Sequence, residues 1–376
     1  MTPFYFRILL CSGAFLLLVV VSISSYHRDT LYDTVDKVKD KVQGIKHERL
    51  AYATFLAGTV AEHDGLVVTA HNFTEDIYFT SVRLLGYHLM HKPSTRSRRK
   101  IPFVVLVTDN VPESTRAILR NDGATVIAAD TVETGDWFQP DMWRWNDVMT
   151  KLRLWQLTQF DRVLFLDSDT ALIKPLDGVF DDPGAAIKHT IRNPVDAIDD
   201  DIESPLPEEY LLATFPEARH DHSMPVVDGE WAIGPDYFNA GFFMMKPSEE
   251  LYQHYVSLMN PANGTETKFE SRYPEQNLLN YAHRRNGSMP WQNIATNWNV
   301  FRPTMRDVEL GVYSLHAKWW GPKADLREWF AKEEALMEGY YNGRDEASWE
   351  EETGWADEME LELPITTRMK RWMKRS

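Results

Sequence analysis

The sequence predicts an α/β fold, a mixed and mostly parallel sheet flanked by helices, built as a single domain that follows an N-terminal membrane anchor. Three observations predict it. From Arg49 onward, short apolar runs alternate with amphipathic segments, the pattern of βα units. One of those runs, Arg162-Val-Leu-Phe-Leu, ends directly in Asp167-Ser-Asp169, and open α/β sheets bind ligands at the carboxyl ends of their strands. Residues 8–24 form an uncharged apolar run, preceded by Arg7 and followed by Tyr26-His27-Arg28.

Composition sets the outer bounds. The chain has 376 residues, 43% of them apolar and 12% aromatic, which excludes a disordered tail, a collagenous repeat and a disulfide scaffold. Thirteen Trp, fifteen Tyr and eighteen Phe supply enough apolar area for a full core. A net charge of -16 has the wrong sign for binding by phosphate neutralisation, so nucleic acid is not a partner. Cys11 is the sole cysteine, so neither an intramolecular disulfide nor a cysteine-ligated zinc site can form.

The elements follow in order. Residues 1–7 form a cytoplasmic tail and residues 8–25 a signal-anchor helix through the membrane; the alternative is the h-region of a cleaved secretory signal. The run exceeds the roughly 7 to 15 residues of a usual h-region, which favours the anchor and a type II orientation. Residues 26–48 are a stem in which Leu31, Val35, Val38, Val42 and Ile45 make a two-heptad stripe, suited to a stalk helix or to homodimer formation. Sequons at Asn72, Asn263 and Asn286 agree with export. Residues 49–330 form the main folded domain, and 331–376 a C-terminal extension with a basic end.

Within that domain, strands are expected at 51–57, 103–108, 124–129 and 162–166, with others near Ala186 and at 242–246. Helices are expected at 76–90 and after Asn146, which can cap a segment carrying Val148, Leu152 and Trp155 on one face. Segments 191–240 and 331–362 each carry twelve acids against two bases, so together they more than account for the net charge. The first, rich in Pro, is expected to be an acidic insertion loop over 191–238. The chain has no internal repeat and no glycine-rich phosphate loop.

The strongest local signal is the Asp167-Ser168-Asp169 pair. In extended backbone two carboxylates at i and i+2 project to the same side, and together they favour a hard cation such as Mg2+ or Mn2+, which can neutralise a diphosphate. Around it stand Thr150-Lys151-Leu152-Arg-Leu-Trp155, Asn239-Ala240-Gly241-Phe-Phe-Met, Glu275-Gln276-Asn-Leu-Leu-Asn280 and Ser314-Leu-His316-Ala-Lys318-Trp-Trp-Gly-Pro-Lys323. In these blocks and their order, from about residue 50 to 323, the sequence resembles glycosyltransferase family 8, the glycogenin-like enzymes, and among them the membrane-anchored fungal type.

The resemblance implies a GT-A-like, Rossmann-type fold and transfer of a sugar from a UDP-sugar with retention of configuration. It implies that Asp167 and Asp169 bind the metal, with Asp167 and Ser168 beside the nucleotide, and that His316 is the third ligand. An imidazole among carboxylates tilts the choice toward Mn2+ over Mg2+. It places Lys151 against the donor, and Thr54, Asp76 and Tyr78 near the uracil, although an extra loop near 62–66 separates the first strand from Asp76. It places Glu275 and Gln276 beside the anomeric carbon, where the family usually has Asp-Gln, and Asn239, Ala240 and Gly241 along the sugar. Either Lys318 or Lys323 serves the diphosphate; Lys323 is preferred, one residue beyond the usual spacing. The acceptor is implied to be a glycan, glycoprotein or lipid, and the compartment the Golgi.

Two other readings compete. An apolar strand followed by Asp-x-Asp also opens the haloacid-dehalogenase phosphatase motif, which wants Thr or Val where this chain has Ala171. A catalytically silent sugar-binding protein on the same fold is the second, and the intact Asp167, Asp169 and His316 argue against it.

Overall fold

The structure is a computed structural model that describes residues 48–58, 62–63, 66–67, 76–135, 137–139, 145, 147–194, 205–260, 267–320 and 326–353. The expected anchor at 8–25, nearly all of the stem, Asn146, Lys323, the sequons at Asn72 and Asn263 and the basic end lie outside them. No helix among the described residues is long and apolar enough to cross a membrane.

Ten strands carry the architecture: β1 (Leu50–Leu56), β2 (Phe103–Thr108), β3 (Thr125–Ala129), β4 (Arg162–Leu166), β5 (Thr170–Leu172), β6 (Leu212–Thr214), β7 (Phe242–Met245), β8 (Gln292–Asn293), β9 (Val300–Phe301) and β10 (Ser314–His316). The main sheet has the order β8-β6-β7-β4-β1-β2-β3. β1 pairs in parallel with both β2 and β4, and β2 with β3. β7 is antiparallel to β4 and β6, and β6 is parallel to β8, so β7 alone runs against the rest. A second sheet, β9-β10-β5, continues from the end of β4.

The central strands are buried on both faces, which is why they read as continuous apolar runs without alternation. The helices are α1 (Ile77–Met90), α2 (Glu113–Asn121), α3 (Glu249–Met259), α4 (Pro274–Ala282), α5 (Met305–Leu310) and α6 (Arg327–Thr353). Against one face pack α3, α4 and a 3-10 helix over Val148–Gln156, with Trp155 stacked on Phe243 at 5.6 Å. Val82, Leu85 and Leu89 of α1 cover the other face. Asp76 starts α1 by accepting a hydrogen bond from the Tyr78 N–H at 2.7 Å. A third core joins α1, the small sheet and α6 through Leu84, Leu315, Trp319 and Phe330.

The segment 191–238 is not the loop expected from its composition. It contributes β6, whose Leu212, Ala213 and Thr214 are buried in the main sheet, and Pro216 bridges back to Phe238. Averaged over fifty residues, its acids hide the apolar stretch Tyr210–Phe215. The strand expected near Ala186 is a two-residue ribbon, Lys188–His189, paired with Glu209–Tyr210 outside the main sheet, since its own residues are exposed. The helix expected after Asn146 is 3-10 in form, with Val148, Leu152 and Trp155 all buried. The boundary expected at 330 falls inside α6, whose Met337 and Tyr341 are buried in the third core.

Candidate active site

In strand order, β1 has β2 on one side and β4 on the other, so the chain reverses its direction of winding between β1 and β4. A crevice opens at such a point beyond the carboxyl ends of the strands. Here it is a cleft of about 1170 Å3, lined at its β1 end by Phe55, Leu56 and Ala57 and at its β4 end by Asp167, Ser168 and Asp169. The reversed strand β7 delivers its amino end to the same edge, and the Asp167 N–H donates to the Gly241 carbonyl at 2.8 Å.

The two aspartates converge through a turn, not by alternation along an extended strand. The Thr170 N–H donates to the Asp167 carbonyl at 3.1 Å, and Thr170 then enters β5, where it pairs with His316 of β10. Asp167, Asp169 and His316 each present a ligand atom within 4.8 Å of the others. The His316 Nε2 lies 3.0 Å from Asp169 Oδ1 and 3.7 Å from Asp167 Oδ2. Burial alone would lower the His316 pKa, but Asp169 and Asp167 raise it above its ordinary value. Burial would likewise raise Asp169, yet His316 and Lys318 hold it below the usual carboxylate range.

On the other side of Asp167 stands Lys151 from the 3-10 helix. Its Nζ donates to Asp167 Oδ1 at 2.8 Å and to Glu275 Oε1 at 3.1 Å. Burial opposes its charge, but the two carboxylates outweigh burial and raise its pKa. Glu275 and Gln276 open α4. The Gln276 Oε1 accepts from the Ala240 N–H at 3.0 Å and its Nε2 donates to the Tyr237 hydroxyl at 2.8 Å, so both ends of the amide are committed to positioning. Asn239 Oδ1 accepts from the Gly241 N–H at 2.9 Å. A Cβ on Gly241 would lie 2.2 Å from His316 Cε1 and 2.7 Å from Asp167 Oδ2, so only glycine fits between the two ligands.

Two carboxylates from one turn and an imidazole from β10, brought this close together, form a set that could hold a metal ion through oxygen and nitrogen. The remaining expected residues divide. Tyr78, Ser168, Asn239, Ala240, Gly241 and Lys318 line the cleft with the residues above. Thr54 does not: it is fully buried in β1, and its hydroxyl has no hydrogen-bond partner among the described residues. Asp76 is engaged as the α1 cap. The cleft also holds residues that carry no recognisable motif. Glu217 enters it from the acidic segment, and burial raises its pKa despite Arg302 and Asn239 nearby. Trp145, Tyr273 and Phe301 add aromatic walls.

Comparison with known proteins agrees with this geometry. The profile of the glycosyl transferase family 8 matches residues 94–316, more than half of the chain. An uncharacterized protein of Schizosaccharomyces pombe is 30% identical over 278 residues, covering 68% of this chain and 71% of its own. Galactinol synthase 2 of Arabidopsis thaliana is 24% identical over 313 residues, 73% of this chain and 80% of its own. Glycogenin-1 of Homo sapiens is 27% identical over 188 residues, 49% of this chain and 41% of its own. The mostly parallel sheet, the acids at the end of its central strand and the matched family profile lead to one conclusion: the chain is a glycosyltransferase and belongs to glycosyltransferase family 8.

Proposed function

We propose that the protein transfers a sugar, with retention of configuration, from a UDP-sugar to a glycan, glycoprotein or lipid acceptor in the Golgi lumen. The observation that carries this reading is the convergence of Asp167, Asp169 and His316 beside the Lys151–Glu275 pair, in a cleft large enough for donor and acceptor together. Asp167, Asp169 and His316 would hold Mn2+, with Mg2+ as a weaker fit; when bound, the cation neutralises charge on the departing diphosphate.

Lys151 holds Asp167 and Glu275 in fixed relation and keeps one positive charge at the floor of the cleft. Lys318, exposed at the cleft wall near Asp169, is placed to meet an anionic leaving group. In this reading the Glu275 carboxylate, which lines the cleft, would face the positive charge developing on the sugar, and Gln276, which holds the Ala240 N–H, would fix the backbone at the sugar's edge. The phosphatase reading of the aspartate pair gives way to the family membership.

Residue 286 supports the lumenal address: Asn286 is exposed in the turn closed by the Gly287 N–H and the Arg284 carbonyl at 3.0 Å. The apolar run at 8–25 supplies the type II anchor in this reading.

The test offers a panel of UDP-sugars with Mn2+, with chelator, and with Asp167→Ala or Asp169→Ala. Hydrolysis or transfer from one donor that vanishes on chelation and in both variants is the expected result. Activity indifferent to metal removal would sink the metal reading, and an Asn286→Gln chain with unchanged glycosidase-sensitive mobility would remove the support from that sequon.

A further inference from the structure

Strand β5 carries Asp169 just before its start and pairs with β10, which carries His316 at its end. The β5–β10 pair therefore sets the separation of two of the three proposed metal ligands. β5 is an edge strand, and its outer side faces α1. There the Leu172 N–H, which an edge strand would otherwise leave unpaired, donates to His88 Nδ1 at 2.9 Å. Because Nδ1 accepts, the ring proton sits on Nε2, which donates to the Glu333 carboxylate at 2.9 Å. Lys92 closes the cluster with an ion pair to Glu333. His88 is completely buried, and burial lowers its pKa, in keeping with a neutral ring.

Glu333 belongs to α6, beyond residue 316 where the family profile ends, and His88 belongs to α1, before residue 94 where it begins. The same helix braces the other strand of the pair. Phe330 stacks on Trp319 at 4.3 Å with an interplanar angle of 4°, and Trp319 stands three residues after His316. One helix thus holds β5 through a histidine relay and the exit of β10 through an aromatic stack.

We propose that Glu333 and His88 are positioning residues for the metal site: the relay from α6 fixes the β5 edge and thereby the distance between Asp169 and His316. The inference rests on the metal reading above. The residues act through backbone and touch no ligand, so the expected signature is metal affinity, with turnover recovering once metal is saturating.

The experiment measures Mn2+ binding to the full chain by calorimetry, with melting temperature, kcat and the Mn2+ dependence of rate alongside. Glu333→Ala is expected to weaken Mn2+ binding by about tenfold, within the range for groups that orient metal ligands, while kcat at saturating Mn2+ stays near the unmodified value. Glu333→Gln, whose amide oxygen still accepts from His88 Nε2, is expected to restore the affinity. Arg344→Ala is the control, since Arg344 anchors the far part of α6 to the Asn121 carbonyl at 2.9 Å. It is expected to lower the melting temperature and leave Mn2+ binding unchanged. Should Glu333→Ala not fold, Glu333→Asp carries the same test by withdrawing the carboxylate one methylene from His88. Mn2+ affinity within twofold of the unmodified protein in Glu333→Ala or Glu333→Asp, with a melting temperature that falls as in Arg344→Ala, would overturn the proposal. If the unmodified chain binds Mn2+ no better than Asp169→Ala, the metal reading itself fails and this inference falls with it.

Discussion

Two clusters in this protein combine histidine, carboxylate and lysine, and they are tuned in opposite directions. Under α6, Glu333 meets one lysine and a histidine whose Nδ1 is occupied by the Leu172 N–H, so the charges balance and the ring stays neutral. In the cleft, Asp167, Asp169 and Glu275 outnumber Lys151 and Lys318, and the two aspartates converge on the His316 ring. There the ring is driven toward its charged form. The same three residue types make a closed brace where carboxylate and cation match one to one, and an attractor for positive charge where carboxylates are in excess and one of them reaches solvent.

The contrast is broken most severely by deleting a carboxylate from the excess. Asp169→Asn should lower kcat by about 10² to 10³, the usual cost of removing one electrostatic contact to a transition state, in a protein that still melts cooperatively. Steady-state rates and a thermal scan on the same sample check it. Lys151→Met comes next, because it leaves Asp167 and Glu275 without their shared cation. A rate loss of about 10²-fold is expected. Its stability cost should stay below the roughly 3–5 kcal/mol of a fully enclosed ion pair, because Asp167 is 29% exposed; urea denaturation measures that part.

Proton uptake sharpens the comparison. His88 has a lowered pKa in the folded protein, so the unfolded chain takes up the proton first, and stability falls as pH drops below about 6.5. His283, pushed down to about 3 by burial, adds to the same acid-side loss. His316 has a raised pKa, so in metal-free protein its contribution is present below about 6.5 and is lost as pH rises through the folded value. Denaturation of His88→Gln and His316→Gln against pH should flatten opposite limbs of the profile. Mn2+ binding to the unmodified chain should also strengthen as pH rises, because the cation displaces the His316 proton.

The smallest effect is expected at Glu217, a carboxyl that burial holds above its usual pKa. Glu217→Gln copies its neutral form, so of two assay pH values activity should lie closer to the unmodified protein at the more acid one and diverge at the higher one. Equal divergence at both pH values would mean that the protonation state of Glu217 is irrelevant.

Much of the cleft was legible in the sequence because chemistry and local order coincide there. β4 runs straight into Asp167-Ser-Asp169, α1 fills the span expected for a helix over 76–90, and the long central strands announce themselves as unbroken apolar runs. β8 and β9 are two residues each and borrow their pairing from neighbours, so no periodicity marks them. Glu217 carries no motif and sits in an acid-rich segment, where nothing local sets it apart. Nothing local links His88 to Glu333 either: they are 245 residues apart, and only the packing of α6 on α1 makes them partners.

The brace has a practical side for anyone choosing where to cut the chain. A fragment trimmed to the family boundary at residue 316 would keep every proposed metal ligand and lose α6. Leu84, Tyr87 and Leu315, now covered in the third core, would then form an apolar face open to water. Such faces promote self-association. A preparation of that kind could precipitate or lie idle with its chemistry intact, and its silence would say nothing about the enzyme. Retaining the chain through residue 353 keeps that face covered.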